Sequence, residues 1–182
     1  MTVMIVGVSG KAGSGKDSFS DTLVNEYGFV RVAFADPIKQ HCKEVHSWNG
    51  MKDDYGRALL QQEGDHHRQF DSDVWLNIAK QRIKLLIEDE NERIVITDMR
   101  CKRELDFIKH IKNEKWLNSY DVVGKTVRVE GREGNLSSET KNHSTETELD
   151  GAKFDKLVVN DSDLESLYEK CYEFYNSIIG VN

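Results

Sequence analysis

Short apolar runs alternate with amphipathic stretches along most of this chain. Five runs rich in β-branched residues predict strands, at residues 3–8, 29–34, 93–98, 125–130 and 157–160. Apolar residues recur at helical spacing between most of these runs, which predicts helices over 18–27, 55–62, 73–87 and 102–112 and a closing helix after 160. Strands separated by helices are typical of a doubly wound α/β fold, here with a five-stranded, mostly parallel sheet.

Capping residues mark several of the predicted helix ends. Gly28 stands where a left-handed C-terminal cap belongs, directly after the first amphipathic stretch. Asp36 suits the N-cap of the next helix, and Pro37, the only proline in the chain, suits its first turn. Ser162 and Glu165 have the spacing of a capping box, which predicts that the closing helix begins there.

A glycine-rich segment separates the first predicted strand from the first predicted helix. Its sequence is Gly10-Lys11-Ala12-Gly13-Ser14-Gly15-Lys16-Asp17. Between a strand and a helix, such glycines let successive backbone N–H groups point into one concavity, and the helix N-terminus adds its positive dipole end. Lys16 then supplies a charge for the β- and γ-phosphates of a nucleotide. The segment predicts a phosphate-binding loop, with a ligand-free glycine-rich turn as the alternative.

The loop departs at one position from the pattern G-x-x-x-x-G-K-S/T. Asp17 stands where a Ser or Thr hydroxyl ordinarily contacts Mg²⁺. A carboxylate could hold the ion directly or through water, because Mg²⁺ takes oxygen ligands and keeps several waters. Asp98, at the end of the third predicted strand, could act through water. Asp17 and Asp98 are therefore the candidate magnesium residues.

Composition narrows the class of protein. The length of 182 residues favours one domain spanning 1–182, and the net charge of −7 argues against nonspecific nucleic-acid binding. The three cysteines, Cys42, Cys101 and Cys171, lie far apart and predict packed free thiols in a reducing compartment. No apolar run approaches membrane-spanning length. We expect a cytoplasmic protein that binds neither nucleic acid nor membrane.

Several cations stand where a phosphate ligand would need them. Phosphoryl transfer requires aligned substrates and positive charge around the transferring group. Besides Lys16, Arg100 follows the third predicted strand and Arg132 opens a long polar stretch. Arg57 and Arg68 lie in the helical segment between the second and third strands, where an acceptor could bind. For each arginine the alternative is a solvated surface position, which is common for this residue type.

The polar stretch at 131–155 is rich in Gly, Ser, Thr, Asn and Glu. A connection of this length inside a domain is usually functional, so it predicts a lid, with a plain surface loop as the alternative. His143 lies within it, and a nucleotide contact by this residue stays open. His66 and His67 are interpreted as surface histidines, because adjacent side chains point apart and no further ligand cluster is visible in the sequence nearby.

Five motifs, in this order, resemble those of the phage-type deoxynucleoside monophosphate kinases, which are P-loop nucleoside monophosphate kinases. They are residues 10–17, Phe34-Ala35-Asp36-Pro37-Ile38-Lys39, Gly56-Arg57-Ala58-Leu59-Leu60-Gln61, Ile96-Thr97-Asp98-Met99-Arg100 and His143-Ser144-Thr145-Glu146. The resemblance implies a three-layer P-loop kinase fold with a helical acceptor-binding insertion at about 36–90 and a lid at about 131–155. It also implies transfer of the ATP γ-phosphate to a deoxynucleoside 5′-monophosphate, with Mg²⁺.

The resemblance carries roles over to individual residues. It implies that the ATP phosphates are held by Gly10, Lys11, Ala12, Gly13, Ser14, Gly15, Lys16 and Asp17. It implies that the acceptor site is lined by Asp36, Arg57, Gln61 and Arg68. The implied catalytic residues are Lys16, Arg100 and Arg132, with the two arginines bridging the two phosphate chains.

One motif departs from the family pattern. After the strand-end arginine the family usually continues with an aromatic residue and a proline, whereas this chain has Cys101-Lys102-Arg103-Glu104. It stays open which of Arg100, Lys102 and Arg103 contacts the transferring phosphate.

Two other functions are alternatives. The first is a P-loop kinase for another phosphorylated acceptor, such as phosphomevalonate or dephospho-coenzyme A. Gln61 favours a base-bearing acceptor, because an amide offers a donor and an acceptor to a base edge. The second is a regulatory module that binds ATP without turnover, which should lack a second pocket and a lid arginine. Base and ribose selectivity stay open.

The oligomeric state is also open. Trp116, Leu117 and Tyr120 form an apolar group that is either a patch for a homodimer or part of the core. Trp48 and Trp75 are interpreted as core residues rather than base-stacking ones.

Overall fold

The computed structural model describes residues 2–131 and 147–180. Within them, five strands form one sheet in the order β2-β3-β1-β4-β5, and every neighbouring pair is parallel. The strands are β1 (Thr2–Ser9), β2 (Val30–Val32), β3 (Arg93–Met99), β4 (Asp121–Glu130) and β5 (Lys156–Val159). This arrangement confirms the doubly wound α/β fold class.

The helices of the described ranges connect the strands and cover the sheet. They are α1 (Lys16–Tyr27), α2 (Asp36–His46), α3 (Asp54–Phe70), α4 (Val74–Glu88), α5 (Lys102–Lys109) and α6 (Leu164–Ile179). Helix α1 ends as predicted at Gly28, whose left-handed backbone (φ 68°) lets its N–H donate to the Leu23 carbonyl. Two short 3₁₀ turns, Ile111–Asn113 and Lys115–Leu117, follow α5.

Apolar side chains on both faces of the sheet produce three layers. On one face, Phe19 and Leu23 of α1 pack with Leu167 and Phe174 of α6. On the other face, α4 and α5 pack their apolar sides, including Ile83, against the sheet. Strands β1 and β3 lie between these layers and are buried on both faces, which explains why their sequences are continuous apolar runs.

Helices α2, α3 and α4 enclose a third apolar cluster beside the sheet. Its buried members are Ile38, Cys42, Trp48, Leu59 and Trp75. The Trp48 indole N–H donates to the Met51 carbonyl, and the Trp75 indole N–H donates to the Gly64 carbonyl. Both tryptophans therefore belong to the core, and the cluster holds α2 against α3.

Some strand bounds differ from the sequence prediction. Strand β2 ends at Val32 rather than at 34, because the Asp98 carboxylate accepts the backbone N–H groups of Phe34 and Ala35. Strand β4 begins at Asp121 rather than at 125, because it pairs with β1 along that strand's full length. Helix α5 stops short of residue 112, and a 3₁₀ turn takes its place.

Two helix starts also differ. Helix α3 begins after Asp53, whose carboxylate accepts the Gly56 N–H, and it continues to Phe70 instead of ending at 62. Helix α6 is capped by Asp163 and not by Ser162, because the Asp163 carboxylate accepts the backbone N–H three residues further on. In both cases an aspartate side chain makes the cap.

The expected free thiols are present, and the apolar group that the sequence left open can be placed. The three cysteines are buried and unpaired with one another. Leu117 is buried, and Trp116 and Tyr120 are half-buried against the core, so this apolar group belongs to the core. No helix in the described ranges is long and apolar enough to cross a membrane.

Candidate active site

The glycine-rich loop connects the end of β1 to the start of α1. Gly13 and Gly15 have φ values of 81° and 96°, a backbone conformation that strains residues with a Cβ. A Cβ at Gly15 would also overlap the side-chain amide of Asn160. The structure therefore requires glycine at position 15 for both reasons.

Asn160 ties this loop to the last strand of the sheet. It follows β5, is 6% exposed, and its Nδ2 donates to the Ser14 carbonyl at 2.9 Å. Sequence reasoning missed this residue, because 146 positions separate the pair and no local signal marks it. The Ser14 hydroxyl is buried and has no hydrogen-bond partner among the described residues. A glycine loop that holds an unpaired hydroxyl fits an oxyanion such as phosphate.

Lys16 is the first residue of α1 and is 6% exposed. Burial lowers the pKa of its ammonium group, and the charges of Arg100 and Lys52 also act to lower it, whereas Asp17 and Asp98 act to raise it. The Asp17 carboxylate is 3.9 Å from Lys16 Nζ and is itself largely exposed. Because this ion pair is weak, a bound anion would stabilise the buried charge of the ammonium group.

A cavity of about 310 Å³ opens beside Lys16, between the carboxyl edge of the sheet and helices α2 and α3. Its cationic lining residues are Lys16, Arg31, Lys39, Lys52, Arg57, Arg68 and Arg100. Its acidic lining residues are Asp17, Asp21 and Asp98. Positive charge is therefore concentrated here in a chain whose net charge is −7, which favours an anionic ligand.

The structure brings seven of the predicted site residues to this cavity. Those that line it are Lys16, Asp17, Arg57, Gln61, Arg68, Asp98 and Arg100. Sequence reasoning missed Arg31, Lys39 and Lys52, since a single charged residue in a short strand, helix or loop carries no pattern. Arg132, the fourth predicted arginine, lies outside the described residues, as do His143 and most of the predicted lid.

Asp36 lies next to the cavity rather than in its lining. It is the first residue of α2, and Ala35 occupies the N-cap position that the sequence predicted for Asp36. Its carboxylate accepts from Arg31 at 2.6 Å and from Lys39 at 2.9 Å. Burial acts to raise the pKa of this carboxyl, but the two cations outweigh burial and lower it. Asp36 thus orients two cations that line the cavity.

The two candidate magnesium residues have different surroundings. Both carboxylate oxygens of Asp98 accept backbone N–H groups, from Phe34 at 2.8 Å and Ala35 at 2.9 Å. The Asp17 side chain is 74% exposed at the edge of the cavity. Asp17 is therefore the more accessible ligand for a cation, whereas Asp98 holds the turn after β2 and could reach an ion only through its remaining lone pairs.

Arg100 is held by a buried carboxylate. Oε2 of Glu104 accepts the backbone N–H groups of Arg100 at 2.7 Å and Cys101 at 2.9 Å. Burial raises the pKa of Glu104 to about 7, with Asp98 adding to the rise, while the two N–H groups and the charge of Arg68 oppose it. Sequence reasoning did not identify this role of Glu104.

The two cations that follow Arg100, Lys102 and Arg103, do not line this cavity. The Arg103 guanidinium donates to the Ser72 carbonyl and to Asp73. The backbone N–H of Lys102 donates to Glu148. Of these three cations, the structure places Arg100 in the lining of the cavity.

A second cavity of about 240 Å³ lies on the other side of the loop. Lys11 and Ser14 line it together with the end of β4. The buried Arg128 donates there to Glu130 at 2.8 Å and to Asp150 at 2.7 Å. Lys11 adds an ion pair with the same Asp150, at 3.3 Å. The glycine-rich loop thus separates two neighbouring cavities.

Comparisons with known proteins agree with this architecture. The chain is 28% identical to a protein of Acanthamoeba polyphaga mimivirus that carries the provisional name of a deoxynucleotide monophosphate kinase, over 97% of the chain and 95% of that relative. This relative confirms the resemblance stated from the motifs. No family model matches the chain.

Solved structures share the fold. A dephospho-CoA kinase from Campylobacter jejuni superposes with a TM-score of 0.54 at 13% identity, covering 98% of both chains. The Thermus thermophilus protein TT1252 superposes with a TM-score of 0.54 at 15% identity, covering 98% of this chain and 99% of that one. At these identities the likeness shows the fold alone, which is that of the P-loop kinases.

Proposed function

We propose that this protein is a kinase that transfers the γ-phosphate of ATP to a deoxynucleoside 5′-monophosphate. The observation that carries the proposal is the cavity that joins buried Lys16 to a set of cations from α2, α3 and β3. A phosphate donor on the loop and a phosphate acceptor in this cavity would meet at Lys16. The viral relative and the fold support the same class of reaction.

The loop supplies the donor site in this proposal. The glycines leave the backbone open, the Ser14 hydroxyl is unpaired among the described residues, and Lys16 supplies a buried charge. Residues 10–17 would hold the ATP phosphates through backbone N–H groups and the N-terminus of α1. Magnesium, when bound with the nucleotide, neutralises phosphate charge; Asp17 would contact it and Asp98 would act through water.

Helix α3 supplies the acceptor site. Gln61 stands one turn after Arg57 on this helix and Arg68 stands two turns after Gln61, and all three residues line the same cavity. The two guanidinium groups suit a phosphate monoester, and the Gln61 amide suits the edge of a base. Because the acceptor phosphate is already anionic, no residue has to remove a proton from it. The protein's contribution is then alignment and charge stabilisation.

Arg100 and Arg132 complete the proposed machinery. Arg100 projects from the end of β3 into the lining of the cavity, where it would contact the transferring group. The role of Arg132 is a prediction from the sequence. This residue directly follows Gly131, with which the first described range ends just after β4. A cation at that position would act mainly in the transition state, when charge develops between the two substrates.

The alternatives differ in the acceptor or in turnover. A kinase for phosphomevalonate or dephospho-coenzyme A would use the same loop. Phosphomevalonate has no base for the Gln61 amide to contact, whereas dephospho-coenzyme A carries an adenine and differs from a monophosphate acceptor in receiving the phosphoryl group on a hydroxyl. A regulatory module that only binds ATP does not need a second cationic pocket. The cavity formed with α3 therefore favours an enzyme with a phosphorylated acceptor.

An ADP-release assay tests the proposal. Mg-ATP is supplied with a panel of deoxy- and ribonucleoside monophosphates, phosphomevalonate and dephospho-coenzyme A. Turnover confined to one or more deoxynucleotides would support it. Turnover with another acceptor would favour the first alternative, and ATP binding without turnover on any acceptor would favour the regulatory module.

A further inference from the structure

Three histidines and a glutamate meet on the outer side of helices α2 and α3. The Glu63 carboxylate on α3 lies 3.4 Å from His41 Nε2 and 3.0 Å from His46 Nε2, both on α2. One ligand atom from each of His41, His46 and Glu63 falls within 4.8 Å of the others. His67, one turn after Glu63, approaches the same carboxylate at 4.0 Å.

The packing of the two helices creates this cluster. Buried Cys42 of α2 and Leu59 of α3 belong to the apolar cluster that holds the helices together. His41 adjoins Cys42 in the chain, and Glu63 stands one turn after Leu59. The sequence suggested that His66 and His67 had no ligand residues nearby, and for His67 this was wrong. His66 remains exposed and pairs its ring with Phe70.

We propose that His41, His46 and Glu63 form a binding site for a divalent transition metal of the zinc, cobalt or nickel type. Two imidazole nitrogens and one carboxylate oxygen are a ligand set that such metals use, whereas Mg²⁺ prefers oxygen ligands alone. The fourth position is taken by water or by His67.

The observed distances are close to those that a metal requires. With metal–ligand bonds of about 2.0–2.1 Å, ligands in a tetrahedral site stand about 3.3 Å apart. His41 Nε2 lies 3.4 Å from Glu63 Oε2 and His46 Nε2 lies 3.0 Å from Glu63 Oε1, both near this value, and one ligand atom of each of the three residues falls within 4.8 Å of the others. The histidine side chains are about one-third exposed, at 34% and 35%, which gives an ion access.

A metal here would join two helices that also line the proposed acceptor cavity. Lys39 of α2 and Gln61 of α3 lie in that lining, two residues from His41 and Glu63 respectively. Bound metal should therefore stabilise the folded chain and hold the cavity wall fixed. This site lies outside the residues of the proposed donor and acceptor sites, so its existence does not depend on kinase activity.

Metal binding to the full chain, expressed without a polyhistidine tag and stripped with a chelator, tests the proposal. Zn²⁺ titration by calorimetry should show one saturable site, and Co²⁺ should give the visible absorption bands of a four-coordinate ion. The thermal midpoint should rise with Zn²⁺. Loss of a hydrogen bond to a metal ligand already lowers metal affinity about 10–100-fold. Loss of a ligand itself should cost at least as much, so His46→Ala and Glu63→Gln should each weaken Zn²⁺ binding at least about tenfold.

His66→Ala is the matched control, because it removes an exposed histidine of α3 that is not part of the cluster. It should leave affinity and the cobalt spectrum unchanged. Circular dichroism without metal shows whether each variant is folded. If one variant is unfolded, the metal affinity of the other variant decides the test. Weak, non-saturating binding to the parent chain, or an affinity of His46→Ala and Glu63→Gln equal to that of the parent, would overturn the proposal. The metal titrations are made without nucleotide, so their outcome does not depend on whether the protein is a kinase.

Discussion

Glu104 gives a pH dependence of stability that can be worked out from the structure. Its carboxyl is 5% exposed and its pKa rises from 4.5 to about 7, chiefly through burial. Because the folded state then binds the proton more tightly than the unfolded chain, protonation contributes stability that is full below pH 4.5 and is lost as the pH rises through about 7. The complete loss amounts to about 3 kcal/mol.

The substitution Glu104→Gln removes this titration and keeps an oxygen that can accept the N–H groups of Arg100 and Cys101. Urea unfolding followed by circular dichroism, from pH 5 to pH 8 at constant ionic strength, gives the free energy of unfolding of both proteins. The variant should gain about 2–3 kcal/mol relative to the parent across that range. Glu169→Gln, at an exposed position of α6, is the control and should track the parent. A difference between Glu104→Gln and the parent that stays constant with pH would refute the reasoning.

Three further substitutions test the proposed donor site and the lid. Lys16→Ala should abolish ADP release without unfolding the chain, and near-normal turnover would remove this residue from the site. Asn160→Ala leaves the buried Ser14 carbonyl unpaired, so urea unfolding should show a loss of about 1–3 kcal/mol and steady-state kinetics a higher KM for ATP; an unchanged KM would show that the tie does not shape the loop. Arg132→Ala should lower kcat much more than it weakens ATP binding, and an equal loss in both would count against a lid cation.

Local sequence patterns predicted the parts of this fold that depend on neighbouring residues. The loop that ends in Gly15 and Lys16 could be read directly, because its backbone conformation needs glycine and its context needs a strand and a helix. Gly28 could be read as a cap for the same reason. The parallel sheet followed from apolar runs that are buried on both faces, as β1 and β3 are.

Contacts between distant parts of the chain could not be predicted in this way. The hydrogen bond from Asn160 to Ser14 depends on the strand order, and the lining by Arg31 and Lys52 depends on how α2 and α3 fold back over the sheet. Two N-caps were misplaced by one residue, since Asp36 is used by two cations and Asp163 caps α6 in place of its neighbour. An aspartate near a helix start can serve several partners, and only the packing selects among them.

The proposed function requires that a phosphoryl group passes from ATP to a deoxynucleoside monophosphate in the cavity at Lys16. Phosphorus NMR of the protein with Mg-ATP and each common deoxynucleoside monophosphate follows the group itself. We expect the ATP γ-phosphate signal to be replaced by the signals of ADP and a deoxynucleoside diphosphate in equal amounts, and Lys16→Ala to stop this transfer. Release of inorganic phosphate alone, or unchanged ATP with every acceptor, would contradict it.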